Sequence, residues 1–231
     1  MNDNRSYISI LASQYINAGK PTEWFEHLYA EAIAGNATIP WADMQPNPNL
    51  IQWLDQNQID GQGKTALKVG CGLGDDVEAL CQQGFKVVGF DIAASAIDWC
   101  HRRWPSSTAQ YWVADVLNPP ESWTQAFDFV LESYTLQVLP PPQRQIAIRQ
   151  IANFVALAGQ LLVICRGRDT QENSGQIPYL LTVDEIMAFT DVGLSLESFA
   201  DYFDQESPPV RRFRAEFKKY SSFDRSLRQS G

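Results

Sequence analysis

The chain has 231 residues, 45% of them hydrophobic, and a formal net charge of −9. That length and apolar content suit one α/β unit with a substantial core, and the acidic balance argues against a partner gripped through its phosphate backbone, so nucleic acid is not expected. No apolar run reaches the roughly 18 residues of a membrane-spanning helix, and the first fifteen residues lack the basic and apolar regions of a signal peptide, so a cytoplasmic protein with no membrane partner is the expectation.

Residues 6–18 predict a short amphipathic helix that ends at Gly19. Residues 23–34 predict a second helix closed by Gly35, with Trp24, Phe25, Leu28 and Ala32 at helical spacing on a packing face and His27 off it. The segment 39–50 holds Pro40, Pro46 and Pro48 and reads as an irregular, extended loop. A short helix over 51–59 and a turn at 61–63 follow.

Strands and helices then alternate. Strands are expected at 66–70, 85–91, 109–115, 126–132 and 159–167, with helices at 75–83, 95–104 and 140–157 between them. This order argues for a parallel sheet wrapped by helices on both faces. A polar loop spans 168–179, and a helix follows with Thr182 and Glu185 at capping-box spacing and a stop at Gly193. Two alternating segments, 194–203 and 210–220, read as an antiparallel pair on one sheet edge. Arg211 and Arg212 are expected on opposite faces there, each in an ion pair. The tail 221–231 is polar and reads as frayed.

Cys71, Cys81, Cys100 and Cys165 form no C-x-x-C pair, and the histidines are His27 and His101. Buried thiols and surface imidazoles are expected, with no metal site. Trp99, Trp104 and Trp112 read as core.

The chemistry concentrates at Gly70-Cys71-Gly72-Leu73-Gly74, between the first strand and its helix. Glycines there let the backbone approach a ligand, and the helix start offers free N–H groups. The dinucleotide pattern G-x-G-x-x-G/A fails, because its last position is Asp75 or Val77, and no GK[ST] follows the turn. Asp91, at the second strand's tip, can accept from a pair of ribose hydroxyls, and Asp115, after the third, from an exocyclic adenine amine. Open α/β sheets bind ligands at these tips.

GCGLG, GFD, the AD after strand three and the closing hairpin resemble the class I S-adenosylmethionine-dependent methyltransferases over about residues 60–220. Within that class, VGCGLGDDV, IPWADMQPNPNL, ESYTLQVLPPPQR and GQIPYLLTVDEI resemble stretches of the thiopurine and halide/thiol methyltransferase family. The resemblance implies a Rossmann-like, seven-stranded mixed sheet with helices on both faces and an antiparallel C-terminal hairpin. Residues 1–60 would be a helical cap with a cofactor-covering loop, and 61–231 the class I domain. S-adenosyl-L-methionine would be the cofactor and S-adenosyl-L-homocysteine the product. Gly70, Cys71, Gly72 and Gly74 would surround the methionine part, Asp91 and Ile92 the ribose, and Asp115 and Val116 the adenine. Trp41 would lie against the cofactor and Glu132 at the methyl-transfer end. Three departures stand out: Lys68 replaces an acid common in the class, Ala42 splits the family's Trp-Asp pair, and Ser133 takes an aromatic's place with Tyr134 displaced by one.

The expected reaction is transfer of a methyl group to a small-molecule nucleophile, with a thiol or other soft atom favoured. Transfer to oxygen or nitrogen, and a non-catalytic cofactor-binding domain, are the alternatives. Glu132 and Tyr134 are the candidate bases. Tyr134, Arg166 and Tyr179 are the candidate acceptor contacts, and Arg166 with Arg168 could meet an anion. A monomer or homodimer is expected.

Overall fold

The computed structural model describes residues 2–221, with side chains described from Tyr7 onward. The tail expected to fray lies outside the described residues apart from Ser221. Seven strands form one sheet in the order β3-β2-β1-β4-β5-β7-β6, where β1 is Thr65–Val69, β2 Lys86–Asp91, β3 Gln110–Val113, β4 Phe127–Ser133, β5 Val155–Arg166, β6 Ser195–Phe203 and β7 Arg211–Lys218. The pairings β1–β2, β1–β4, β2–β3 and β4–β5 are parallel, while β7 runs antiparallel to both β5 and β6. The strand order switches at β1, with β2 and β3 laid down on one side and β4 and β5 on the other, which opens a crevice at the carboxyl tips of β1 and β4.

The period-2 alternation along the strands sorts side chains onto two faces. On one face Leu67, Val130, Leu161, Val163, Phe213 and Phe217 pack against α6 (Pro141–Phe154) and α7 (Val183–Asp191). On the other, Ala66, Phe129, Leu131, Leu162 and Ile164 pack against α3 (Pro48–Gln56), α4 (Asp75–Gln82) and α5 (Ala94–Arg103). Trp53 of α3 stacks on Phe129 with ring centroids 5.5 Å apart. Each such large apolar side chain contributes about 1.5–3 kcal/mol by leaving water.

Two helices precede α3: α1 (Asn2–Asn17) and α2 (Glu23–Ile33). Ile8, Leu11, Trp24 and Leu28 bury against one another, and Gly19 and Gly35 follow the two helices at positive φ. Tyr29 of α2 reaches past this pair to Leu73, Ala93 and Ala96, so α2 lies over the strand tips. His27 is exposed, off the packing face as expected.

Several expectations need correction. α1 begins at Asn2, earlier than the apolar pattern of 6–18 indicates. The loop predicted over 39–50 gives way to α3 at Pro48, because Asn47 caps the helix by accepting from the Asn49 N–H at 3.0 Å and Pro48 occupies the first turn. The helix predicted over 140–157 ends at Phe154, and Val155 already pairs with Phe127. The ladder slips between Phe127 and Phe129, with Ala158 at φ 63°. A Cβ on Gly159 would lie 2.9–3.1 Å from three backbone carbonyls, so this bulge requires glycine. Trp112 is 48% exposed on the edge strand β3 rather than in the core. No helix among the described residues is long and apolar enough to cross a membrane.

Candidate functional site at the strand tips

β1 ends in the glycine turn, where Gly70, Gly72 and Gly74 have φ of 58°, 55° and 88°. L-residues pay for that region and glycine does not. A Cβ at Gly70 would sit 2.4 Å from the Thr135 hydroxyl, and one at Gly74 2.6 Å from the Tyr111 hydroxyl, so packing closes these positions to larger residues as well. The turn feeds α4 with Asp75 and Asp76 in its first turn. Arg103 of α5 grips Asp75 through two bonds of 2.5 and 2.6 Å and also donates to the Leu73 carbonyl.

Asp91 closes β2. One carboxylate oxygen accepts from the Gly72 N–H and the other from the Ala93 N–H, both at 3.0 Å. Burial pushes its pKa up, against the pull of the Ala93 and Gly72 N–H groups. Each oxygen keeps a further lone pair for a donor from a ligand. Ile92 lines a cavity of about 370 Å³ together with Tyr15, Thr22, Glu23, Glu26 and His27. Glu26 caps α5 from outside, accepting from the Ser95 N–H at 3.0 Å and its hydroxyl at 2.6 Å. Asp115 is half-buried past β3 and accepts from the Leu117 N–H at 2.8 Å, with Val116 buried beside it.

Glu132 and Tyr134 lie at the exit of β4. Glu132 is 0% exposed, and its Oε1 accepts from the N–H groups of Thr135 and Leu136 at 2.8 Å each, while its Oε2 has no partner. Burial pushes its pKa up to about 7. Tyr134 follows at φ 66°, in the left-handed region. Its hydroxyl accepts from the Asn49 amide at 3.4 Å, and Arg212 lies 5.2 Å from its ring centre. Burial lifts its pKa to about 12.

Trp41 is partly exposed, and its indole N–H donates to the Tyr29 hydroxyl at 3.0 Å. That hydroxyl lies 3.3 Å from where a Gly72 Cβ would be, so Trp41 reaches the glycine turn through Tyr29. Arg166 is half-buried at the end of β5, and its N–H donates to the Gln137 side chain at 3.0 Å. The Tyr179 N–H donates to the Gln137 carbonyl at 2.6 Å, and Arg144 lies 5.5 Å from the Tyr179 ring centre. Arg168, read as a possible anion contact, spends its guanidinium on the carbonyls of Leu180 and Glu172 and on Glu185, which folds the loop. Arg211 pairs with Asp201 and Asp169, and Arg212 with Asp204 and Glu206, as expected of structural ion pairs. Cys71, Cys100 and Cys165 are buried free thiols, and burial pushes Cys71 and Cys165 up.

The residues that the sequence pattern leaves unmarked are Asp76, Tyr29 and the Asn47–Asn49 pair. Asp76 accepts from the Asn47 N–H at 2.8 Å and from the Ser133 hydroxyl at 3.0 Å, so it ties the 39–47 loop to the exit of β4. The acid was visible beside the glycine turn; its partners come from 29 and 57 residues away.

Comparison with known proteins agrees with this geometry. Residues 66–159 match the family described as a methyltransferase domain. The chain is 24% identical over 184 residues to "Probable thiol methyltransferase 2" of Arabidopsis thaliana, covering 73% of this chain and 80% of that one. It is 34% identical over 128 residues to a ubiquinone biosynthesis O-methyltransferase of Coxiella burnetii, covering 53% of each, so it spans about half the length of that relative. A solved structure of an S-adenosylmethionine-dependent methyltransferase from Anabaena variabilis shares the fold, with a TM-score of 0.69 at 15% identity over 84% of this chain and 93% of that one. The seven-stranded order and the glycine turn agree with that match, so residues 66–159 carry a methyltransferase domain within a sheet of the class I type.

Proposed function

We propose that this protein methylates a small-molecule thiol or another soft nucleophile. One observation carries the choice of acceptor: the two candidate bases at the exit of β4 are a carboxylate sealed from solvent and a tyrosine that keeps its proton. Glu132 is 0% exposed, with its Oε1 on two backbone N–H groups and its Oε2 buried without a partner, and Tyr134 holds its proton to about 12. A hydroxyl or amine acceptor needs a base within hydrogen-bond reach, whereas a thiolate attacks unaided.

The residues at the tips fit the cofactor that the family uses. When bound, S-adenosylmethionine supplies a methyl group on a sulfonium, open to in-line displacement. Gly70, Cys71, Gly72 and Gly74 would give the methionine part close access to backbone. Asp91, next to Ile92, would accept from the ribose hydroxyls, and Asp115 with Val116 would meet the adenine. Residues 1–60 would act as a lid through Trp41 and Tyr29, excluding water from the reacting centre. Tyr134, Arg166 and Tyr179 would shape the acceptor side. Glu132 would hold the backbone of the β4 exit in place rather than move a proton.

Asp91→Ala removes an acceptor for the ligand and also the clasp on Gly72 and Ala93. Its affinity for S-adenosylmethionine, measured by calorimetry, is expected to fall by about 1–3 kcal/mol, roughly 5- to 150-fold. A change below twofold would remove Asp91 from the cofactor site.

The acceptor is tested by following S-adenosylhomocysteine formation with thiols, halides, phenols and amines in parallel. Thiols should give the highest turnover. One observation favours a second reading, transfer to oxygen or nitrogen: His27 lines the cavity that reaches Ile92, and an imidazole can act as a general base. Under that reading His27→Gln lowers phenol or amine turnover at least tenfold. Under the thiol reading the same variant leaves turnover unchanged. Phenol or amine turnover in the absence of any thiol activity would sink the first reading.

A further inference from the structure

Buried charges converge beneath the glycine turn. Lys68 on β1 is 3% exposed, and its ammonium donates to the carbonyls of Val69 at 2.8 Å and Gly70 at 3.1 Å. It lies 4.0 Å from Asp76 Oδ2. Glu132 sits opposite Val69, the residue after Lys68, in the β1–β4 ladder, and Asp91 accepts from the Gly72 N–H, two residues past the Gly70 carbonyl that Lys68 holds. Burial raises the pKa of both acids, and the Lys68 charge opposes that rise. One ammonium therefore faces three carboxylates, from α4, β2 and β4. Other titratable groups also face this cluster: Tyr134 at the exit of β4 faces Asp76, and Cys71 in the turn faces Lys68. Glu132 also faces Arg144 from α6 and Cys165 from β5, and Arg144 is committed to Glu185. Asp91 also faces Tyr29 from α2 and Cys71 from the turn, both protonated.

We propose that Lys68 is a positioning residue whose charge sets how strongly the site prefers a cationic sulfonium over the neutral thioether left after transfer. This rests on the cofactor reading above. Asp76, Asp91 and the ionised fraction of Glu132 favour a cation, and Lys68 opposes them from within the same cluster. S-adenosylmethionine and S-adenosylhomocysteine differ by one methyl group and one unit of charge. The ratio of their affinities therefore reports the charge of the cluster, while terms common to both ligands cancel. By holding that ratio down, Lys68 keeps the methyl-bearing form from being trapped in its ground state. It also places this control on Asp76, whose oxygens hold the 39–47 loop and the β4 exit.

Calorimetry with both nucleosides on the wild type, Lys68→Met, Lys68→Arg and Asp76→Asn tests this. In Lys68→Met the ratio should move toward S-adenosylmethionine by on the order of fivefold. Lys68→Arg should stay within about twofold of the wild-type ratio, since it keeps the charge. Asp76→Asn should move the ratio the other way, toward S-adenosylhomocysteine. An unchanged ratio in folded Lys68→Met, or the same shift in Lys68→Arg, overturns the proposal. Should circular dichroism show that Lys68→Met does not fold, an unchanged ratio in Asp76→Asn overturns it equally. A wild type that binds neither nucleoside overturns the cofactor reading itself, and that result is separate from any change of ratio among variants.

Discussion

Arg144→Ala is expected to lower the unfolding free energy by about 3–5 kcal/mol, the range for breaking a buried ion pair from one side. Arg144 is 2% exposed on α6. Its Nε donates to the Leu136 carbonyl at 3.0 Å and its Nη2 to the Leu139 carbonyl at 3.1 Å, while Nη1 meets Glu185 of α7. Alanine leaves both carbonyls without that donor in a dry region and leaves Glu185, which also closes the capping box with Thr182, only Arg168 as its cation. The damage is focused on residues 134–139, where β4 leaves the sheet and enters the site. A urea titration measures the effect. A loss below about 1 kcal/mol would mean that water or another donor replaces the guanidinium.

The second large effect is a pH dependence. Glu132 has its pKa raised from 4.5 to about 7 by burial, so between these values the native state binds a proton that the unfolded chain has released. Stability therefore falls as pH rises through that window, and at pH 8 the buried carboxylate costs on the order of 3 kcal/mol. Glu132→Gln keeps an acceptor for the Thr135 and Leu136 N–H groups and cannot ionise. The unfolding free energies of wild type and variant, measured from pH 4 to 8, should diverge as pH rises, with the variant gaining. Parallel curves would show that Glu132 titrates normally. Turnover in the variant should fall less than tenfold, because the reading above gives Glu132 no proton to move.

The parallel core and the placing of two acids at strand tips were legible because each rests on a local pattern. Short apolar strands alternate with helices, and the glycine turn, Asp91 and Asp115 each fall at a strand tip where side chain and position agree. Capping at Thr182 and Glu185 was equally local, and the structure has both reciprocal bonds. What escaped was non-local. Pro46 and Pro48 read as loop because proline disfavours a helix interior, yet Pro48 opens α3 once Asn47 caps it. Val155 was absorbed into a helix because an apolar run fits either element, and only its pairing with Phe127 decides. Trp112 looked like core because its bulk and apolarity carry no information about being on an edge strand. At the exit of β4, the position of Glu132 at the strand tip was legible. Its orientation onto the Thr135 and Leu136 N–H groups depends on how the chain turns at Tyr134, and a left-handed tyrosine has no sequence signature.

The sheet order also governs how the protein comes to be made. β7, the last strand in chain order, is not an edge: it slots between β5 and β6 and pairs with β5 from Gln160–Lys218 to Arg166–Arg212. During synthesis β4 and β5 can assemble early, but one flank of β5 stays open until residues 211–218 leave the ribosome. That flank carries Leu161, Val163 and Cys165, whose cover includes Phe213, Ala215 and Phe217. An exposed strand edge of this kind pairs readily with other chains. The nascent protein is therefore most vulnerable to aggregation while the polypeptide between β5 and β7 is being added, and a chaperone holding that flank would act in this interval.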